Sequence, residues 1–74
     1  MGEMAIMDTT GDSKQIWDPN VPEEVAIARE SFDNLKKKGY IGYTVNEDGD
    51  KGEVIHSFDP NAGKVIMAPR MVAG

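Results

Sequence analysis

The single histidine, His56, is the side chain of this sequence best suited to proton transfer or metal binding. Imidazole titrates near neutral pH and ligates metals, but a catalytic histidine needs a partner group that it can activate. The chain contains no cysteine, and no serine stands at a spacing that fixes it beside His56. We therefore interpret His56 as an ordinary strand residue that shares a face with Val54 and Phe58.

The segment NEDGDKGE places side-chain oxygens at alternate positions, Asn46, Asp48 and Asp50, as the start of a calcium-binding EF-hand loop does. The glycine that such a loop needs comes one place late, at Gly52, and Ser57 stands where the closing glutamate belongs. The pattern therefore favours an exposed hairpin loop without a metal. The sequence also contains no glycine-rich phosphate cradle, nucleophile elbow or paired-carboxylate spacing, so neither a cofactor nor enzymatic activity is expected.

Charge and composition restrict the kinds of partner. The 74 residues include 13 acidic and 8 basic side chains, which give a formal net charge of −5. An acidic surface repels phosphate backbones and anionic lipids, so neither nucleic acid nor a membrane is expected as a partner. No apolar run approaches the roughly 18 residues of a spanning helix, and the first residues lack the basic segment of a signal peptide. We expect one cytoplasmic domain over residues 1–74, with 69–74 as a candidate flexible tail.

The spacing of apolar and turn residues predicts the element order β-β-α-β-β-β. The strand segments are EMAIMDTT, KQIWD, YIGYTV, EVIHSF and KVIMA. The helix is expected after DPNVPEE, with Asn20 as its cap, Pro22 in its first turn and Gly39 at its end. Its apolar stripe consists of residues three and four apart, namely Val25, Ala28, Phe32 and Leu35.

Two continuous apolar runs, MAIM at 4–7 and VIMA at 65–68, indicate the strands in the middle of the sheet. We expect these first and last strands to pair in parallel, with Met4, Met7 and Met67 meeting along their seam. The predicted fold is α+β, a mixed sheet of four to five strands with one helix packed on one face. A plain antiparallel sheet with the helix on one face is the alternative.

The second face of such a sheet stays open and is where a partner is expected to bind. The repeated patterns WDP and FDP each close a strand and open a turn. Phe58 is expected to cover the end of the core. Trp17, which is larger and carries an N–H group, either covers the core in the same way or lies half-exposed as a partner contact. Trp17, Tyr40 and His56 are the predicted partner-binding residues.

The element order and length resemble the layout of ubiquitin, a β-grasp fold. An N-terminal methionine before the first strand, a glycine-containing turn, a helix that starts just after residue 20 and a closing strand that leads into RMVAG carry this resemblance. The chain also resembles short uncharacterised bacterial and phage-associated proteins with the pattern GDxxxxWDP, KGY and FDPxAG, followed by a closing proline and glycine. The matching residues are Gly11, Asp12, Trp17, Asp18, Pro19, Lys38, Gly39, Tyr40, Phe58, Asp59, Pro60, Ala62, Gly63, Pro69 and Gly74.

The ubiquitin resemblance implies a tail that an enzyme joins to another protein through Gly74. The five residues after Pro69 span about 17 Å when extended, and Arg70 stands at the base of the tail much as a basic residue does in ubiquitin. The penultimate residue is Ala73, whose Cβ would crowd the channel of a conjugating enzyme. This last feature favours a simple chain end.

Three functions follow from these features. The favoured one is a non-catalytic protein–protein interaction module. The first alternative is a structural or accessory component of a phage particle or another assembly, which suits a compact, acidic and cysteine-free chain. The second alternative is a ubiquitin-like modifier with a C-terminal glycine.

Overall fold

Five strands and one helix account for the regular structure of the residues that the computed structural model describes, which are 1–8, 11–46 and 48–69. The strands are β1 (Gly2–Asp8), β2 (Gly11–Trp17), β3 (Tyr40–Val45), β4 (Lys51–Ile55) and β5 (Lys64–Pro69). The helix α1 (Pro22–Lys37) comes between β2 and β3. The predicted order of elements is confirmed.

The strands form one mixed sheet in the order β2-β1-β5-β3-β4. The central strands β1 and β5 pair in parallel, from Glu3 with Lys64 to Ile6 with Met67. The other neighbouring strands are antiparallel. The parallel pairing predicted from the two apolar runs is therefore confirmed, and the antiparallel alternative is wrong. The fold class is α+β, with one helix on a five-stranded mixed sheet.

Helix α1 has Pro22 at its first position, where the missing N–H group removes no helical hydrogen bond. The N-cap residue is Val21, whose side chain makes no capping hydrogen bond, so the prediction that Asn20 caps the helix is wrong. Two carboxylates hold this segment instead: Asp18 Oδ1 accepts from the N–H of Asn20 at 2.9 Å, and Glu24 Oε1 accepts from the N–H of Asp18 at 3.0 Å. Gly39 ends the helical segment as predicted, with a φ of 96° that glycine adopts without steric cost.

The core lies between α1 and one face of the sheet. The predicted stripe of the helix is confirmed, since its middle residues are fully buried and its outer ones pack against the core while partly buried. The sheet and the loops contribute the buried side chains of Met4, Trp17, Phe58, Val65 and Met67. The predicted methionine seam holds for Met4 and Met67 but is wrong for Met7, which is 36% exposed because strand side chains alternate between faces.

Trp17 is a core residue, and the alternative that it lies half-exposed is wrong, since its exposed fraction is 0%. Its indole N–H donates a hydrogen bond to the carbonyl of Pro60 at 2.9 Å. Its ring meets the ring of Phe58 edge-on, with centroids 5.0 Å apart. Phe58 is 8% exposed and closes the end of the core, as predicted. Because Trp17 has no exposed surface, it cannot touch a partner directly in this conformation.

Candidate functional site

The side of the sheet opposite α1, here called the open face, has no element packed on it among the described residues. Strand side chains alternate between the two sides, so the neighbours of buried residues point outward. One row of outward side chains crosses all five strands in register. It runs through Lys14, Ala5, Ile66, Tyr43 and Val54. Four of these five side chains present apolar or aromatic surface to the open face.

Several apolar side chains of the open face remain in contact with water. Ile16 is 56% exposed, Val54 is 46% exposed and Met7 is 36% exposed. Removing such surface from water is favourable by about 25 cal/mol per Å². Ile27, on the outer side of α1, is 57% exposed, but a single apolar residue on a surface is ordinary. The open face differs because Ala5, Ile66, Tyr43 and Val54 are neighbours in register.

A cavity of about 190 Å³ opens on this face between β1 and β5. Its apolar wall is formed by Ala5, Met7, Val45 and Ile66, and Gly49 of the β3–β4 turn borders it. Pockets that hold a whole small molecule usually occupy about 300–1,000 Å³. The cavity therefore has the size for a single apolar side chain of another molecule.

The oxygen-rich segment between β3 and β4 forms the predicted hairpin loop. Asn46 Oδ1 accepts hydrogen bonds from the N–H groups of Asp48 at 3.1 Å and Asp50 at 3.0 Å. The Asn46 side chain thus organises the loop backbone, as asparagine commonly does in turns. Within residues 1–8, 11–46 and 48–69, no group of three or more His, Asp or Glu side chains is arranged to hold a metal.

A charged cluster formed by Glu3, Lys14 and Lys64 borders the cavity on the open face. Glu3 Oε1 lies 2.8 Å from Lys14 Nζ, and Glu3 Oε2 lies 3.6 Å from Lys64 Nζ. The hydrogen bond from Lys14 holds the pKa of Glu3 below its ordinary value; partial desolvation opposes this effect, and the charges of both lysines add to it. Both lysine side chains are more than half exposed, at 61% and 64%, whereas that of Glu3 is 22% exposed. The lysines are therefore accessible to a further carboxylate.

The open face differs in charge from the rest of the molecule. Its outward charged strand residues are Glu3, Asp12, Lys14, Lys51 and Lys64. Three positive and two negative charges give these strand residues a net charge of +1, although the whole chain has −5. Lys51 Nζ lies 5.0 Å from the centroid of the Tyr43 ring, and such an exposed cation–π contact is worth about 0.5–1 kcal/mol. The open face is thus an apolar surface with lysines around it.

Tyr40 and His56 lie together, but in a groove and not at the centre of the open face. This groove of about 250 Å³ runs between the end of α1 and the β3–β4 pair, where both residues line it beside Lys36 and Ile55. Tyr40 is half-buried and packs against the core, so its predicted place on the open face is wrong. Strand β4 ends at Ile55, so His56 lies beyond the strand, and it does not share the environment of the buried Phe58. The His56 side chain is exposed, and its carbonyl accepts a hydrogen bond from the Lys36 ammonium group.

Sequence reasoning missed the residues that make up the open face. Along β3 the alternation places Ile41, Tyr43 and Val45 on one side of the strand, and Tyr43 pairs there with Ile66 and Val54, away from the core. The signal that would have identified the site is the same alternation applied to β1 and β5 together, because it brings Ala5 beside Ile66.

The predicted tail residues Arg70, Ala73 and Gly74 lie outside the residues that the structure describes. Among the described residues, no helix has both the length and the apolar character that crossing a membrane requires. In comparisons with known proteins, no family model, no curated protein and no solved structure matches this chain.

Proposed function

We propose that this chain is a non-catalytic protein–protein interaction module that binds its partner through the open face. The observation that carries this proposal is the row of apolar side chains that crosses the sheet in register, with Ile66 and Tyr43 side by side near its centre. Contiguous exposed apolar surface is uncommon on proteins that act alone and marks interaction sites. The core on the other side of the sheet is already filled by α1, so the open face is available to another protein.

The order of the strands supports a β-grasp scaffold of the ubiquitin-like type. The first and last strands are parallel neighbours at the centre, and the helix connects the second strand to the third. This is the layout that the resemblance to ubiquitin implies. In such a scaffold one helix supports one face of the sheet, and the other face can bind a partner.

The test compares isoleucines of equal exposure on opposite sides of the molecule. Ile16, on the open face, is 56% exposed, and Ile27, on the outer side of α1, is 57% exposed. We expect Ile16→Asp to lose a partner that the wild-type chain captures from its native host, because the substitution removes apolar contact surface and taking a charged carboxylate out of water at the interface costs free energy. Ile27→Asp is expected to retain that partner. Circular dichroism of both variants checks that they are folded.

A second variant, Val54→Asp on the opposite edge strand β4, shows whether the loss of the partner is limited to substitutions in β2. Titration of the labelled protein with the purified partner should shift amide resonances of the strands and leave those of α1 in place. Retention of the partner by Ile16→Asp and Val54→Asp, with its loss in Ile27→Asp, would assign binding to the helix and refute the proposal.

A structural subunit of a larger assembly is the second candidate. The observation that favours it is the pair of sheet edges, because β2 and β4 each have a single neighbouring strand among the described residues. Unpaired strand edges can add a strand from another subunit, and head-to-tail addition extends without closing. Light scattering over a range of protein concentrations separates the candidates: growth into large oligomers favours the subunit, and a monomer at all concentrations favours the interaction module.

A further inference from the structure

The cavity on the open face and the charged cluster at its border together specify the chemistry of the partner, provided that the proposed function holds. The cavity offers about 190 Å³ and an apolar wall that includes Ala5 and Ile66. Lys14 and Lys64 extend beside it with most of their side-chain surface in water. An apolar wall next to two ammonium groups complements a segment that has an apolar residue close to acidic ones.

In the free protein the carboxylate of Glu3 forms ion pairs with both Lys14 and Lys64. Its two carboxylate oxygens are divided between Lys14, at 2.8 Å, and Lys64, at 3.6 Å. The second distance exceeds the usual length of a hydrogen bond, so the Lys64 ammonium group is the less tightly held of the two. One carboxylate between two ammonium groups leaves a net positive charge, so the cluster still attracts a further carboxylate, which has to compete with Glu3 for the lysines.

We infer that this cavity receives one apolar side chain of a partner segment while Lys14 and Lys64 pair with acidic residues of the same segment, and that Glu3 competes with those acidic residues for the lysines. A second copy of this chain fits less well, because the outward strand residues of both open faces, each set with a net charge of +1, would meet. A basic segment also fits less well, because its cations would approach the lysines of this face. At physiological ionic strength the Debye length is about 8 Å, so charges farther from the cavity than this are largely screened.

The experiment selects binders from a displayed library of random short peptides on the immobilised full-length chain at physiological ionic strength. We expect the enriched peptides to combine an apolar residue with neighbouring Asp or Glu. Their binding should shift the amide resonances of Ala5 and Ile66. Filling the cavity with Ala5→Leu should abolish measurable binding, and circular dichroism shows whether that variant is folded.

Charge variants of the cluster test the role of each residue with one selected acidic peptide as the probe. Lys14→Gln and Lys64→Gln should each weaken binding about two- to fivefold, which is the range for a solvent-exposed ion pair. Glu3→Gln should strengthen binding by a similar factor, about two- to fivefold, because the competing carboxylate is gone. Lys37→Gln, in the last turn of α1, is the matched control and should leave the affinity unchanged.

Each remaining outcome overturns the inference. Enriched peptides that are basic or uncharged, yet shift open-face resonances, would refute the acidic partner and leave the proposed function standing. A self-association that Lys14→Gln or Ala5→Leu removes would identify a second copy as the occupant. Peptides that shift only resonances of α1, or the absence of any enriched peptide, would count against both the inference and the proposed function. Weaker binding by Glu3→Gln would show that Glu3 supports the site and does not compete for it.

Discussion

Replacing Trp17 with phenylalanine tests the division of the sheet into a core face and an open face. Trp17 is fully buried, and its indole N–H donates to the Pro60 carbonyl. Phenylalanine cannot make this hydrogen bond, whose net worth is about 0.5–1.5 kcal/mol, and the carbonyl is partly accessible to water as a substitute partner. The smaller ring also leaves a void beside Phe58, which adds about 1–2 kcal/mol, a part of the 3–5 kcal/mol that Trp→Ala substitutions cost.

The expected loss is therefore about 1.5–3.5 kcal/mol, which is large for this protein. A core of this size supplies about 3–5 kcal/mol in total, so Trp17→Phe should be barely stable and Trp17→Ala should be unfolded at 25 °C. Urea unfolding followed by far-ultraviolet circular dichroism measures the free energy of unfolding without relying on tryptophan fluorescence. The wild-type protein provides a second measurement, because Trp17 is its only tryptophan and should resist quenching by acrylamide.

Ile16, which precedes Trp17 in β2, provides the control for the Trp17→Phe substitution. Ile16 points to the opposite side of β2 and is 56% exposed, so Ile16→Ala should change the free energy of unfolding by about 0.5 kcal/mol or less. A one-residue shift in the pairing of β1 with β2 would exchange the two side chains between faces. A stable Trp17→Phe together with a destabilised Ile16→Ala would show that shift and would refute the assignment of the two faces.

Three further predictions concern the core and the charged cluster. Gly2→Ala should cost about 1–3 kcal/mol, because a Cβ there would lie 2.7 Å from Nε1 of the Trp17 indole and closer still to its ring carbons; an unchanged melting temperature would contradict this close approach. Phe32→Ala should cost about 3–5 kcal/mol, since Phe32 is fully buried, and cooperative unfolding at wild-type urea concentrations would refute its place in the core. The lowered pKa of Glu3 stabilises the fold above the unfolded-state pKa of about 4.3, and this contribution is lost as the pH falls through the folded-state pKa. The difference in unfolding free energy between wild type and Glu3→Gln should therefore shrink in acid, and a difference independent of pH would exclude this role.

The central part of the fold could be predicted because it depends on features within short segments. The apolar stripe of α1 follows from the period of the helix, and the two continuous apolar runs identify β1 and β5 as the central strands. Ala28 and Phe32 are buried as the stripe requires. The start of the helix was harder, because any of several polar residues can accept the free N–H groups, and here Asp18 and Glu24 bind the preceding segment in place of an Asn20 cap.

The wrong assignments of Trp17 and Tyr40 have a common physical cause. In β2 the apolar residues Ile16 and Trp17 are adjacent, so the alternation of the strand does not decide which of them is buried. In β3 the outward set contains more apolar surface than the inward set, because Gly42 on the inward side leaves space for the Phe32 ring. Tyr40 therefore packs against the core while Tyr43 points outward. Both assignments depend on packing across strands, which a single strand does not encode.

The apolar residues of the open face exceed what the small size of the domain accounts for. A domain of this length buries only about 60% of its unfolded surface, so some exposed apolar residues are expected wherever the protein acts. Ile27 alone on α1 fits that expectation. The open face does not, because its apolar residues lie next to one another across four strands and the charged cluster beside them has the opposite sign to the net charge of the chain. Both features lie on the same side of the sheet, and the proposed binding of an acidic, apolar segment requires both.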